Sequence, residues 1–268
     1  MPNANNQEEP RQEGTALLVV EDLCVRFGGI VALDAVSFEV GARQIAGLIG
    51  PNGAGKTTLF NCISRLYQTD RGRIGFDRTD LLAVPQHRIA ALGIGRTFQN
   101  LALFGRMSVL DNIMVGRHCR TRSGSLANAL RLPGVAREEA ATAARAHELA
   151  QFAGLADVVS RPAAALPFAV QKRVELARAL ASDPRLLLLD EPASGLNHEE
   201  IGGLAHLIRD IRERLGVTVL LVEHQLSLVM NICDKVVALN FGRKIADGSP
   251  TEVRNSADVI QAYLGAGA

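Results

Sequence analysis

Apolar and polar residues alternate over much of Leu17 to Phe27 and again over Val36-Ser37-Phe38-Glu39-Val40. The two stretches end at Gly28-Gly29 and at Gly41. A period of two predicts antiparallel strands. The pattern then changes. Gln44-Ile45-Ala46-Gly47-Leu48-Ile49, Arg185 to Asp190 and Val217 to Val222 are near-continuous apolar runs of strand length, which predict buried strands. Shorter strands are expected over Gly72 to Asp77, Asp234 to Leu239 and Arg243 to Ala246. Between them lie helical patterns. One starts at Thr57, one runs from Pro85 to Leu92 and closes at Gly93, and one follows Ser108 with Val109, Asn112 and Ile113 in helical spacing. Arg137 to Phe152, Gln171 to Ala181 and Gln225 to Cys233 are further helices. His198 to Leu215 carries an Asn197/Glu200 capping box and a Gly216 stop. A last helix is expected from Pro250, capped by Ser249, to about Leu264.

Composition bounds this picture. The chain has 268 residues, 47% hydrophobic and 21% charged, enough for one large α/β domain or two small ones. A net charge of +1 gives no overall pull toward nucleic acid. No apolar run approaches the length that spans a bilayer. Met1 to Gly14 is polar, lacks the basic and apolar regions of a signal peptide, and is expected to be disordered. Cys24, Cys62, Cys119 and Cys233 are widely spaced, as buried thiols in a reducing compartment. The arginines among residues 117–150 read as a solvated charged face, with a partner or lipid headgroups as the alternative.

The chemistry starts at Gly50-Pro51-Asn52-Gly53-Ala54-Gly55-Lys56-Thr57-Thr58, which fits G-x-x-x-x-G-K-[ST] between a buried strand and a helix. Glycines let the backbone approach an anion, and successive N–H groups with the helix N-terminus then face phosphate. Lys56 can reach the β- and γ-phosphates, and the Thr57 hydroxyl can ligate Mg²⁺. Asp190 ends a buried strand, where an α/β sheet binds ligands, and suits a Walker B role toward Mg²⁺. Glu191 follows it directly and can take a proton from the water that attacks the γ-phosphate. His224 follows the next buried strand and can donate to a γ-phosphate oxygen; the bland alternative is a satisfied core histidine. Gln99, at the end of an expected strand, can contact Mg²⁺ or the attacking water. Phe27 can stack on an adenine face or simply fill the core.

In order, the P-loop, Gln99, Leu166-Pro167-Phe168-Ala169-Val170, Asp190-Glu191, Ser194-Gly195-Leu196-Asn197 and His224 resemble the ATPase subunit of ABC transporters from Leu17 to Leu264. The resemblance implies a P-loop ATPase fold with an antiparallel β subdomain and a helical subdomain inserted over about 87–180. It makes residues 16–265 the ATPase domain and 1–15 a tail. It implies ATP and Mg²⁺ as cofactors, with Thr57, Gln99 and Asp190 toward the metal, Phe27 against adenine, and Lys56, Gln99, Glu191 and His224 at the reaction. Gly95-Arg96-Thr97-Phe98-Gln99-Asn100, Ser108-Val109-Leu110-Asp111-Asn112, Val222-Glu223-His224-Gln225 and Val259-Ile260-Gln261-Ala262-Tyr263-Leu264-Gly265 look like the branch serving hydrophobic, branched-chain amino-acid uptake. Partners implied are a second ATPase subunit, membrane permeases and, indirectly, a periplasmic solute-binding protein, with no nucleic acid. The implied location is cytoplasmic, peripheral on the inner face of the membrane. A lipid or lipopolysaccharide exporter ATPase, or a soluble ABC ATPase, is the alternative.

One stretch departs from the pattern. Where the family carries L-S-G-G-Q, and this branch often L-P-Y-G-Q, the chain has Leu166-Pro167-Phe168-Ala169-Val170. Ala169 replaces the glycine expected to approach a partner's γ-phosphate. A Cβ there is expected to restrict that approach and to disfavour φ > 0. One of two sites in a mixed dimer is then expected to turn over slowly.

Overall fold

The computed structural model describes residues 16–98, 101–121 and 133–265. Strands β1 (Ala16–Phe27) and β2 (Ile30–Gly41) pair antiparallel, and β4 (Arg71–Phe76) and β5 (Thr79–Asp80) complete a four-stranded sheet of order β2-β1-β4-β5. The second sheet has six strands: β3 (Ile45–Ile49), β6 (Ile94–Arg96), β7 (Leu186–Asp190), β8 (Thr218–Val222), β9 (Lys235–Asn240) and β10 (Arg243–Gly248). Their order is β10-β9-β3-β8-β7-β6, with β10 antiparallel at one edge and the remainder parallel.

The apolar runs have a direct explanation here. In β3, Ile45 and Ile49 face one core while Ala46 and Leu48 face another. In β7, Leu187 and Leu189 face the first and Leu186 and Leu188 the second. Both faces of the parallel sheet are covered, so no position can be polar until the strand ends. The second core is closed by the four-stranded sheet and by α1 (Lys56–Ile63). The first is closed by the helices of the other side.

Those helices are α2 (Ile89–Leu92), α3 (Val109–Gly116), α4 (Pro133–Phe152), α5 (Phe168–Leu180), α6 (His198–Leu215), α7 (Leu226–Ile232), α8 (Pro250–Asn255) and α9 (Ala257–Gly265). Their caps follow the local signals. Ser108 Oγ accepts from Asp111 N at 3.0 Å, and both halves of the Asn197/Glu200 box and of the Ser249/Glu252 box are made. Within 87–180, β6 joins the main sheet beside β7, while α3 packs against α4 and α5. Buried Asn112 ties that packing to the preceding loop: its Oδ1 accepts from Phe104 N and its Nδ2 donates to the Phe104 and Ser108 carbonyls.

Four expectations change. The last helix is two, because Ser256 leaves the helical region at ψ 126 and turns the chain between α8 and α9. Helix α5 starts at Phe168, not Gln171, so Ala169 sits in its first turn. Ala169 is also absent from the residues with positive φ, so the expected φ penalty does not arise; any cost of its Cβ is one of space. Finally, Arg117 and Arg145 pair with Asp183, and Arg120 donates to the Ser182 carbonyl. These three arginines are committed to the fold rather than offered to lipid. Cys24, Cys62 and Cys233 are buried free thiols, and Cys119 is partly exposed. Among the described residues no helix is long and apolar enough to cross a membrane.

Candidate functional site

Strand order decides the site. The P-loop leaves β3, Asp190 ends β7, and β8, which leads into Glu223-His224, lies between them. Leu48, Val222 and Asp190 stand in one register row across the sheet, so three loops leave the same edge side by side. This is the carboxyl edge at which α/β sheets bind ligands.

Gly50 turns the chain out of β3 at φ 149, and Gly55 opens α1 at φ 100. A Cβ at Gly50 would collide with the Leu239 carbonyl, so only glycine fits. Lys56 is buried, and its Nζ donates to the carbonyls of Gly50 at 2.6 Å and Pro51 at 2.9 Å. Burial holds its pKa below the ordinary lysine value, against the opposing pull of Glu191 and Asp190. The lysine is thus folded back over the loop, an ammonium held by carbonyls in a space shaped for an anion. Asn52, Gly53 and Thr57 are exposed at the mouth, Pro51, Gly55 and Thr58 are half-buried, and Ala54 is buried beneath.

Asp190 is buried, and burial raises its pKa above the usual carboxylate range despite the Arg96 guanidinium beside it. Arg96 Nη2 lies 3.0 Å from Asp190 Oδ2. The same guanidinium reaches Ser64 Oγ and lies over the Phe60 and Phe98 rings. Glu191 takes a left-handed backbone, φ 47, which is uncommon for a residue with a Cβ. Its N–H donates to the Val222 carbonyl, bonding the turn after β7 to the end of β8. His224 Nδ1 lies 3.9 Å from both Glu191 Oε2 and Glu223 Oε2, too far for a hydrogen bond but close enough for charge coupling. The imidazole is 53% exposed, which removes the core-histidine alternative. Phe27 is 47% exposed and stands edge-on to Tyr67, with ring centroids 5.1 Å apart, so it is not a core residue either. Gln99 lies outside the described residues, as do the expected tail 1–15 and residues 122–132.

Two residues escaped the sequence reading. Glu223 is fully buried; its Oε1 accepts from Ala193 N at 2.8 Å and its Oε2 from His224 N at 3.1 Å. It therefore ties the turn that follows Glu191 to the turn that presents His224. Burial raises its pKa, opposed by those N–H groups. Glu175, on α5, is buried beside Lys172 and accepts from Phe98 N at 3.3 Å. Glu223 had one sequence signal, a carboxylate directly after the apolar run of β8; Glu175, among Gln171, Lys172, Arg173 and Arg178, had none.

The donor set fits a hard divalent cation. An exposed Thr57 in the first turn of α1 and a desolvated carboxylate (Asp190) at the end of β7 lie at the same sheet edge, and among the described residues no group of three or more His, Cys, Asp or Glu forms a protein-only cage. A cation held that sparsely must take most of its ligands from phosphate and water, as Mg²⁺ does.

Comparisons with known proteins identify the family and the fold. Residues 33–194 match the ABC transporter family, and residues 243–268 match the branched-chain amino acid ATP-binding cassette transporter segment. The chain is 41% identical over 249 residues to the high-affinity branched-chain amino acid transport ATP-binding protein BraF of Pseudomonas aeruginosa, covering 93% of this chain and 98% of that one. It is equally similar, with the same coverage, to the LivG protein of Salmonella typhimurium, which carries the same description. Among solved structures, the ADP conformation of MJ1267, an ATP-binding cassette of an ABC transporter, aligns with a TM-score of 0.82 at 30% identity, over 93% of this chain and 99% of that one.

Proposed function

The chain belongs to the ABC transporter family as an ATP-hydrolysing subunit of branched-chain amino-acid transport, and on that premise we propose how its residues perform the reaction. The observation that carries the reading is the meeting of Lys56, Asp190, Glu191 and His224 at one sheet edge.

ATP binds with its phosphates on the P-loop amides and the N-terminus of α1, and its adenine against exposed Phe27. Lys56 exchanges two carbonyl contacts for phosphate oxygens, which its position over the loop allows without a large movement. Thr57 and Asp190 would hold Mg²⁺, which when bound would offset the negative charge of the transferring phosphoryl group; Gln99 is the further residue proposed to serve it. Glu191 takes the proton of the attacking water, and its backbone is fixed by the left-handed φ and by the N–H bond to the Val222 carbonyl. His224 donates to a γ-phosphate oxygen. Its link through Glu223 to Ala193 ties its placement to the segment Ser194 to Asn197.

The N-terminus of α5, with Phe168 45% exposed, faces the nucleotide of a second ATPase subunit, so each site is completed by the partner. A groove of about 460 Å³, lined by Leu66, Ile89, Phe98, Phe104, Val115 and Arg178, receives a cytoplasmic helix of the permease. Its Phe98 side chain also lies against the Arg96 guanidinium that pairs with Asp190, which links the groove to the nucleotide site. A periplasmic solute-binding protein delivers the amino acid to the permease, and this chain lies peripherally on the inner face of the membrane.

Purification of the tagged chain from its native membranes tests this. The expected result is co-purification with permeases, a second ATPase and, after vesicle reconstitution, ATP-dependent leucine uptake that is lost with Glu191→Gln. Co-purification with the membrane partners of a lipopolysaccharide exporter, or with none, would overturn it.

A further inference from the structure

Gly50, the first residue of the P-loop, is held from two sides. Its carbonyl accepts from Lys56 Nζ at 2.6 Å, and its N–H donates to the hydroxyl of Tyr263 at 3.0 Å. Tyr263 lies 213 residues away, on α9. The parallel ladders of β3 reach Leu48 on one side and Ile49 on the other, so Gly50 N–H lies beyond them. A partly buried N–H in that position requires another acceptor. The amides aimed at phosphate come later, at the start of α1, so nucleotide does not supply it.

The tyrosine is placed for this by the helix that carries it. Val259 and Ala262 are buried and Tyr263 half-buried, at spacings i, i+3 and i+4, while Ile260 and Leu264 are exposed on the opposite side. The break at Ser256 sends α9 back over the edge of the sheet beside β10. Burial raises the phenol's pKa, so the hydroxyl stays neutral. Tyr263 and the helix that carries it lie within the C-terminal stretch 243–268 that matches the branched-chain amino acid branch.

We propose that Tyr263 is a positioning residue for nucleotide binding, the strut through which the C-terminal helix holds the P-loop in its phosphate-receiving shape. The proposal rests on ATP binding at this loop and adds a dependence of that binding on the C-terminus. Apparent affinity scales with the fraction of loops in the receptive shape. Loss of one neutral hydrogen bond lowers the ratio of receptive to unreceptive loops about fivefold, and the receptive fraction by up to that factor.

Tyr263→Phe in the full chain tests the hydroxyl, because the ring and its packing remain. Two measurements are made: backbone hydrogen exchange over residues 50–56 without nucleotide, and ATP affinity with KM and kcat. The expected result is loop exchange up to about fivefold faster where receptive loops predominate in the parent, or ATP affinity and KM weaker by up to about that factor where they do not, with kcat within twofold and unchanged exchange in α8 and α9. Parent-like exchange and affinity in the variant would overturn the proposal. So would a loop effect seen with Tyr263→Ala and not with Tyr263→Phe, since the ring rather than the hydroxyl would then be responsible. If the parent chain itself bound no ATP, the nucleotide reading would fail, and the nucleotide-free exchange would still decide for or against the strut.

Discussion

Arg96 Nη2 and Asp190 Oδ2 lie 3.0 Å apart across two neighbouring strand ends, with both side chains nearly buried. The guanidinium balances a carboxylate that burial alone would drive to its neutral form. Arg96→Met therefore leaves the Asp190 carboxylate buried without its partner. The expected loss is about 3–5 kcal/mol in denaturant unfolding of the nucleotide-free chain. Adding Asp190→Asn should return a large part of it, because the second change removes the unpaired charge. Additive losses, with the double variant destabilised by the sum of Arg96→Met and Asp190→Asn alone, would show that the pair does not interact.

Glu191→Gln keeps the size of the side chain and removes its basicity. Turnover should fall by roughly 10²–10⁴-fold while ATP still binds. With the signature of one subunit closed over the other's nucleotide, the variant should elute as a dimer with ATP and as a monomer without it. Elution as a monomer in both conditions, with ATP binding confirmed, contradicts the shared site.

Glu223 gives a pH signature. Its folded pKa lies above the unfolded value because burial outweighs its backbone donors. A raised carboxyl contributes stability that is complete below the unfolded pKa of about 4.3 and is lost as pH rises through the folded pKa. Glu223→Gln removes this dependence and also turns an amide NH₂ toward backbone donors. The parent should therefore exceed the variant in unfolding free energy by more at pH 5 than at pH 8. A gap that is constant or grows with pH would contradict the buried carboxyl. His224 should also lose order in the variant, seen as broadened imidazole resonances.

Gly50 and Gly53 both have positive φ, but they differ in what surrounds them. A Cβ at Gly50 meets the Leu239 carbonyl, whereas one at Gly53 meets nothing within 4 Å. Gly53→Ala should cost only the backbone term, about 1–2 kcal/mol. Gly50→Ala should cost more and abolish ATP binding, because β3 and β9 must separate to admit it. Equal effects of the two changes in thermal unfolding and nucleotide titration would refute the steric account.

Local signals were legible along the chain, and each was a short-range effect. The P-loop needs its glycines, lysine and threonine within nine residues, and the Asn197/Glu200 box closes over three. The apolar runs of β3, β7 and β8 reported burial on both faces without saying which strand lies beside which. Tertiary structure alone placed β8 between β3 and β7, brought Arg96 to Asp190 across 94 residues and Tyr263 to Gly50 across 213, and put Ala169 inside a helix. The physical reason is range. Periodicity, caps and phosphate loops are written in neighbours along the chain, whereas parallel ladders and buried charge pairs exist only after distant segments have met.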